Sequence, residues 1–251
     1  MKYLKMPVRA AIVALCLAML GGCAGNMYRA DRAKVESINT VAVVGFAIPW
    51  RIAEGKASSL PSQLPSFLRK DKGNGEQVAP IVMAGFIEGM SKNPRLKITP
   101  TKDVTGNAAF TALLAQYDQS KDLEYNKSGA AGIPLVPLKH GTEKMEFAQK
   151  AAAALGVDGV ILVDFSELYY DLYIGTLGSG QAKARATARF NLFDKTGQSV
   201  WEADSLVITD ESAGMVLGVL ASNADGLQKD AGSKVAADIL KVYQEQGLVK
   251  K

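Results

Sequence analysis

Two stretches of this chain, Thr40 to Ile48 (TVAVVGFAI) and Val157 to Val163 (VDGVILV), are continuous apolar runs rich in β-branched residues. A strand with one wet face alternates apolar and polar residues, so an unbroken run is what a strand covered on both faces requires. Helices must then lie on both sides of the sheet. The sequence supplies candidates. Pro80 suits a first helical turn, and Ile81, Met83 or Ala84, Ile87 and Met90 follow at helical spacing until Asn93-Pro94. Asn107 is placed to cap a helix over 108–120 that carries Phe110, Leu113, Leu114 and Tyr117 on one side. Thr142 precedes a stripe of Met145, Ala148, Ala152 and Leu155, with Gly156 placed to end it. Leu227, Ala231, Val235, Ile239 and Val242 or Tyr243 mark one face of a terminal helix over 226–246.

The strongest β signal has period two. Between Gln181 and Phe193 the even positions from Ala182 to Leu192 are apolar and the odd ones polar, and Ser199 to Ile208 resumes the pattern after the turn sequence Asp194-Lys195-Thr196-Gly197. A four-residue loop sets Arg189 against Glu202 and Thr187 against Asp204. Leu96 and Ile98 alternate with Arg95 and Lys97 as in a short, half-exposed strand. The expected fold is α/β in the α+β sense: a mixed sheet with an antiparallel hairpin at 181–208, flanked by helices in a single layered domain.

The first 23 residues describe an address. Lys2, Lys5 and Arg9 precede an apolar run from Ala10 to Leu20, the layout of a secretory signal. Leu20-Gly21-Gly22-Cys23 resembles the lipobox of bacterial lipoproteins, in which the cysteine is acylated and becomes the first mature residue. In that group an Asp after the cysteine retains the protein in the inner membrane; Ala24 stands here, which implies the outer membrane. The expected organisation is a lipoprotein signal peptide at 1–22, a tether at 23–38, and a periplasmic domain at 39–247 with a loop insertion at 50–77. That insertion is rich in Ser, Pro, Gly and Lys.

Removing residues 1–22 discards three of 29 basic residues and none of 25 acidic ones, leaving a net charge of +1 that argues against a nucleic-acid partner. It also discards Cys16, so with Cys23 acylated no thiol is left for a disulfide, a thiolate metal site or a nucleophile. His140, the only histidine, reads as a solvated loop residue and cannot supply a zinc-protease pair. Ser179 lacks the outer glycines of a nucleophile elbow, and the glycines at 175, 178 and 180 do not form a phosphate cradle. Asp164, Glu167 and Asp171 would share a face only across a bulge. Catalytic residues, metals and cofactors are accordingly expected to be none, and an envelope hydrolase is the least favoured reading. Trp50, Tyr169, Tyr170 and Tyr173 are the candidate partner-binding residues, with edge-of-core packing as their alternative. A further alternative joins 165–173 and 182–193 into one ribbon of a membrane-inserted barrel built from several copies.

Three stretches carry a family likeness: VAVVGF at 41–46, ALGVDGVILVDFSE at 154–167 and DKTGQSVWEA at 194–203. They resemble counterparts in the curli-secretion lipoprotein and in the lipoproteins that activate penicillin-binding proteins. The resemblance implies a periplasmic α/β domain. Members of that group either form an oligomeric secretion pore or dock on a peptidoglycan synthase, and no residue here matches a motif specific to either task. The expected function is therefore a non-enzymatic outer-membrane lipoprotein that binds an envelope protein in assembly or export. A homo-oligomeric pore subunit is the alternative.

Overall fold

The computed structural model describes residues 28–48, 53–57, 75–116, 142–174, 179–216, 219–220 and 224–245. Its organising feature is the pair of apolar runs, which become adjacent parallel strands: β2 (Thr40–Ala47) and β5 (Gly159–Ile174), with Val41 beside Gly159 and Val43 beside Ile161. The two are clamped at their starts. The Asp158 carboxylate accepts from Thr40 N at 3.0 Å, Thr40 Oγ1 at 2.9 Å and Asn39 N at 3.1 Å. Those bonds, led by the Thr40 amide, hold its carboxyl below the usual aspartate range.

Around this centre the sheet runs in the order β1-β7-β6-β5-β2-β4 and is mixed and open. Short β4 (Lys97–Ile98) lies parallel to β2 at one edge. On the other side β6 (Ser179–Asp194) and β7 (Ser199–Ile208) add antiparallel, then β1 (Tyr28–Ala30). Three short strands fill the far end: β3 (Ala53–Ala57) beside β5, β8 (Ala213–Val216) beside β6, and β9 (Val219–Leu220) beside β8.

Both faces are covered, as the unalternating strands demand, but unequally. Helices α2 (Gly75–Met90) and α6 (Ala224–Glu245) cover one face along its length. Val43, Phe46, Ile161, Val163, Phe165 and the even positions of β6 point into that core. A run of rings crosses it, from Phe165 through Phe46 (centroids 5.3 Å), Phe86 (6.0 Å), Phe190 (6.4 Å) and Trp201 (4.7 Å) to Tyr243 (4.9 Å). The helices touch through glycine: a Cβ on Gly85 would sit 2.1 Å from the Lys229 carbonyl oxygen, and one on Gly232 2.1 Å from that of Val82. On the opposite face α3 (Thr101–Thr105), α4 (Ala108–Leu114) and α5 (Thr142–Leu155) pack a smaller core against Ala42, Val44, Val160 and Leu162. Asn107 caps α4 through Phe110 N at 2.9 Å, and Gly156, at φ 65°, follows α5 as expected. No helix among the described residues lies over the outer half of the β5-β6-β7 sheet on this side.

Several expectations change. Residues 28–37, expected within a tether, form β1 and a helix α1 (Arg32–Ser37) that buries Val35 and is capped by Asp31. A three-residue strand carries no periodicity; its pairing with β7 defines it. Within the 50–77 insertion, 53–57 becomes β3, and α2 starts at Gly75, so Pro80 lies inside the helix rather than in its first turn. The expected 95–98 strand pairs only at Lys97 and Ile98. Of the 108–120 helix, 108–114 is helical, and Tyr117 lies outside the described residues.

The hairpin register also differs. Arg189 faces Asp204, not Glu202, and Thr187 faces Leu206, not Asp204. Two one-residue shifts cause this. Asp194 folds the turn tightly, accepting from Thr196 N at 2.9 Å and Gln198 N at 3.0 Å, with Gly197 in the left-handed region at φ 80°; Phe193 then pairs with Ser199. A bulge next to it moves the register once more, so Leu192 pairs with Trp201. Because the shifts sum to two, every side chain keeps the face its hydrophobicity requires.

Candidate functional site

Among the described residues, the outer face of β5, β6 and β7 is where polar and charged side chains are exposed. It starts from the register shift between Phe165 and Glu167, a bulge that rotates β5 so that Leu168 and Tyr170 continue the core face begun by Phe165. The sequence alone had separated Asp164 from Glu167 and Asp171. The bulge brings Asp164 and Glu167 to one side of the strand, yet in different rows, opposite Arg189 and Thr187, and Asp171 holds a register position opposite Lys183 two rows beyond Glu167. No group of three potential metal ligands occurs among the described residues.

Arg189 centres the innermost row. Its Nε donates to Asp204 Oδ1 at 2.8 Å and its Nη2 to Oδ2 at 3.2 Å, a bidentate fork. The hydrogen bond and charge of Asp204 raise the guanidinium pKa further, with Asp164 and Glu202 adding to it. In the next row Thr187 Oγ1 donates to Glu167 Oε2 at 3.4 Å. Asp204 and Glu167 are thereby each tied to the neighbouring strand β6. Beyond them the chemistry becomes apolar and basic: Leu206 opposite Thr187 and Ile208 opposite Arg185 are 45% and 41% exposed, and Lys183 follows two positions past Arg185.

The aromatic candidates separate. Tyr170 is 6% exposed, pairs with Ala184 and belongs to the main core, so its edge-of-core alternative is the one realised. Tyr169 and Tyr173 hold register positions opposite Arg185 and Gln181. Trp50 lies outside the described residues, as do Leu20, Gly21, Gly22, Cys23 and His140. Leu206 and Ile208, which sequence reasoning missed, looked like members of an ordinary amphipathic strand. Their only signal was their place on the polar phase of β7.

The long ribbon exists, since β5 and β6 pair continuously from Gly159 and Asp194 to Ile174 and Gly180. Its alanine face is not available to lipid in this fold, because Ala182, Ala184, Ala186 and Ala188 are each at most 1% exposed within the helix-covered core. At the opposite end of the sheet a cleft of about 540 Å³ is lined by Arg29, Asp31, Lys34, Met145, Gln198 and their neighbours. One of its two cations is already engaged: the Lys34 ammonium donates to Gln198 Oε1 and lies 3.8 Å from Asp31 Oδ2. No described helix is long and apolar enough to cross a membrane.

No protein-family model matches the chain, and no curated protein matches it. Among solved structures, one similar chain is from the PelC dodecamer of Paraburkholderia phytofirmans (12% identity over 86% of this chain and 93% of that one, TM-score 0.27). Another is lipoprotein GNA1162 from Neisseria meningitidis (13% identity, 82% and 97% coverage, TM-score 0.35). A third is the hypothetical protein CT253 from Chlamydia trachomatis (13%, 84% and 98%, TM-score 0.27).

Proposed function

We propose that this chain is a non-enzymatic outer-membrane lipoprotein, anchored by acylated Cys23, whose periplasmic domain binds a protein partner in cell-envelope assembly or export. The observation that carries the reading is the run from Lys2 to Cys23, a charged start, an apolar centre and Leu-Gly-Gly-Cys, placed five residues ahead of the first strand. Diacylation of one cysteine suffices for durable attachment, at about 0.8 kcal/mol per buried methylene. Within the domain, Asp204 and Glu167 on the outer face are engaged by donors on the neighbouring strand, which supports binding over catalysis. The partner surface on this reading is the end of the sheet formed by β3, β5 and β6, where Tyr169 and Tyr173 hold register positions opposite Arg185 and Gln181.

The test has two parts. Mass spectrometry of protein purified from membranes is expected to find an acylated Cys23 at the mature amino terminus, and Cys23→Ser to release the chain from the membrane. A photo-crosslinker at position 173 is expected to capture one discrete envelope protein. An unmodified amino terminus refutes the anchor, and a crosslinking pattern no different from that of a position on α4 refutes the binding surface.

A further inference from the structure

The elements that open the domain leave little chain between it and its anchor. A free tether over 23–38 would reach about 54 Å when fully extended. The fold takes up most of that length. Tyr28, Arg29 and Ala30 pair with Ala203, Glu202 and Trp201 of β7, and Asp31 N donates to the Val200 carbonyl at 2.8 Å. Val35 of α1 is fully buried, Ile38 just beyond it is nearly so, and both belong to the main core. The Arg95 guanidinium donates to the Glu36 carbonyl at 3.0 Å, and Asn39 N donates to Asp158. Successive parts of this arm are thus fixed to β7, to the core, to Arg95 and to the start of β5. What is left is the step from Cys23 to Tyr28, five residues that reach at most about 17 Å.

The sheet then sets how far the partner surface can stand from the membrane. Tyr28, Ala203, Phe190 and Val163 share one row across β1, β7, β6 and β5, and Tyr173 lies opposite Gln181 on β6. From Phe190 to Gln181 a strand covers about 31 Å, and from β1 to β5 the sheet is about 14 Å wide, which puts position 173 about 34 Å from Tyr28. Whichever end of the sheet is tipped toward the bilayer, that position stays within about 50 Å of the acylated cysteine. A partner on the far side of the periplasm calls for a long, loose tether, whose effective concentration at a site it cannot span falls to nothing. A short one serves a partner confined to the same layer, because both proteins then diffuse in one plane at a fixed height.

We propose that the partner is a protein held in the outer membrane itself, which meets the β3, β5 and β6 end of the sheet within about 50 Å of that membrane. This rests on the lipoprotein reading and on its binding surface, and it names the class of partner. The folded arm, not the sequence between signal and domain, sets the reach.

The full-length lipidated chain with a photo-crosslinker at position 173 provides the test. The captured protein is expected to fractionate with the outer membrane even in cells that lack this chain. Ala24→Asp, the residue that retains lipoproteins of this kind in the inner membrane, moves the anchor. On protein that fractionates there, the crosslink is expected to fall at least tenfold, and to return when about 60 Gly/Ser residues are inserted between Met27 and Tyr28, since these reach up to about 200 Å. A crosslink kept at parental yield by Ala24→Asp with its native spacing overturns the proposal, as does a captured protein that is soluble in cells lacking this chain. A lengthened tether that restores nothing overturns it too, because reach was then not what had been lost. An unmodified amino terminus, or a parent that captures nothing discrete, refutes the lipoprotein reading or its binding surface, and this inference falls with it.

Discussion

Replacing Gly232 by alanine tests how closely the two long helices approach. The new Cβ would lie 2.1 Å from the Val82 carbonyl oxygen, 3.0 Å from its carbon and 3.2 Å from Phe86 N. All three are backbone atoms, so no change of rotamer relieves the contact. Carbon meets a carbonyl oxygen comfortably at about 3.3 Å, which requires α6 to retreat from α2 by roughly 1.2 Å. A gap of that size forfeits about half of the dispersion energy along the seam, and overpacking of this kind costs about 3 kcal/mol, the upper end of its usual range. Alanine's better helix propensity returns about 1 kcal/mol, for a net loss of roughly 2 kcal/mol. Gly226→Ala, in the same helix, meets nothing within 4 Å and is expected to stabilise by about 0.5–1 kcal/mol. The same chemical change thus acts with opposite sign two turns apart. Urea unfolding of both variants in the Cys23→Ser background, followed by circular dichroism, measures the difference at constant m-value. A Gly232→Ala protein within about 0.5 kcal/mol of its parent refutes the close helix contact.

Further outcomes follow from particular contacts. Asp158 has a depressed folded pKa, so its contribution is present above the unfolded value of about 3.9 and is lost as pH falls through the folded one; a carbon-detected titration placing it at or above 3.9 contradicts this. Removing its carboxylate by Asp158→Ala is expected to cost about 1–3 kcal/mol at neutral pH, by leaving the Thr40 and Asn39 donors unpaired. Arg189 and Asp204 are expected to couple by about 0.5–1 kcal/mol in a double-mutant cycle, discounted for their exposure, whereas equal coupling between Arg189 and Glu202 would restore the untwisted register. Tyr170→Ala is expected to destabilise by about 3–5 kcal/mol while leaving the crosslink at 173 intact; loss of the crosslink at unchanged stability would return Tyr170 to the binding surface. Gln228, fully buried with neither side-chain atom partnered among the described residues, is expected to gain about 1 kcal/mol on replacement by Met, and a clear loss in chemical denaturation would show that its amide has a partner.

The layered α/β class, the two doubly covered strands, the hairpin and the principal helices were all legible in the linear pattern, because burial on one face or two writes itself into residue spacing. The proposed anchor at Cys23 rests on the linear pattern alone, since Leu20 to Cys23 lie outside the described residues. Tertiary structure decided what spacing cannot encode. β1 and β3 are too short to be periodic and exist through their neighbours; the bulges at Phe165 and Phe193 re-aim side chains without altering composition. Glycines at 85 and 232 look like helix weaknesses until a second backbone lies against them. Above all, which side chains stay exposed among the described residues depends on where the described helices run out. Tyr170 sank into the core while Leu206 and Ile208 were left in water, because α2 and α6 reach the whole of one face and α3 to α5 only part of the other.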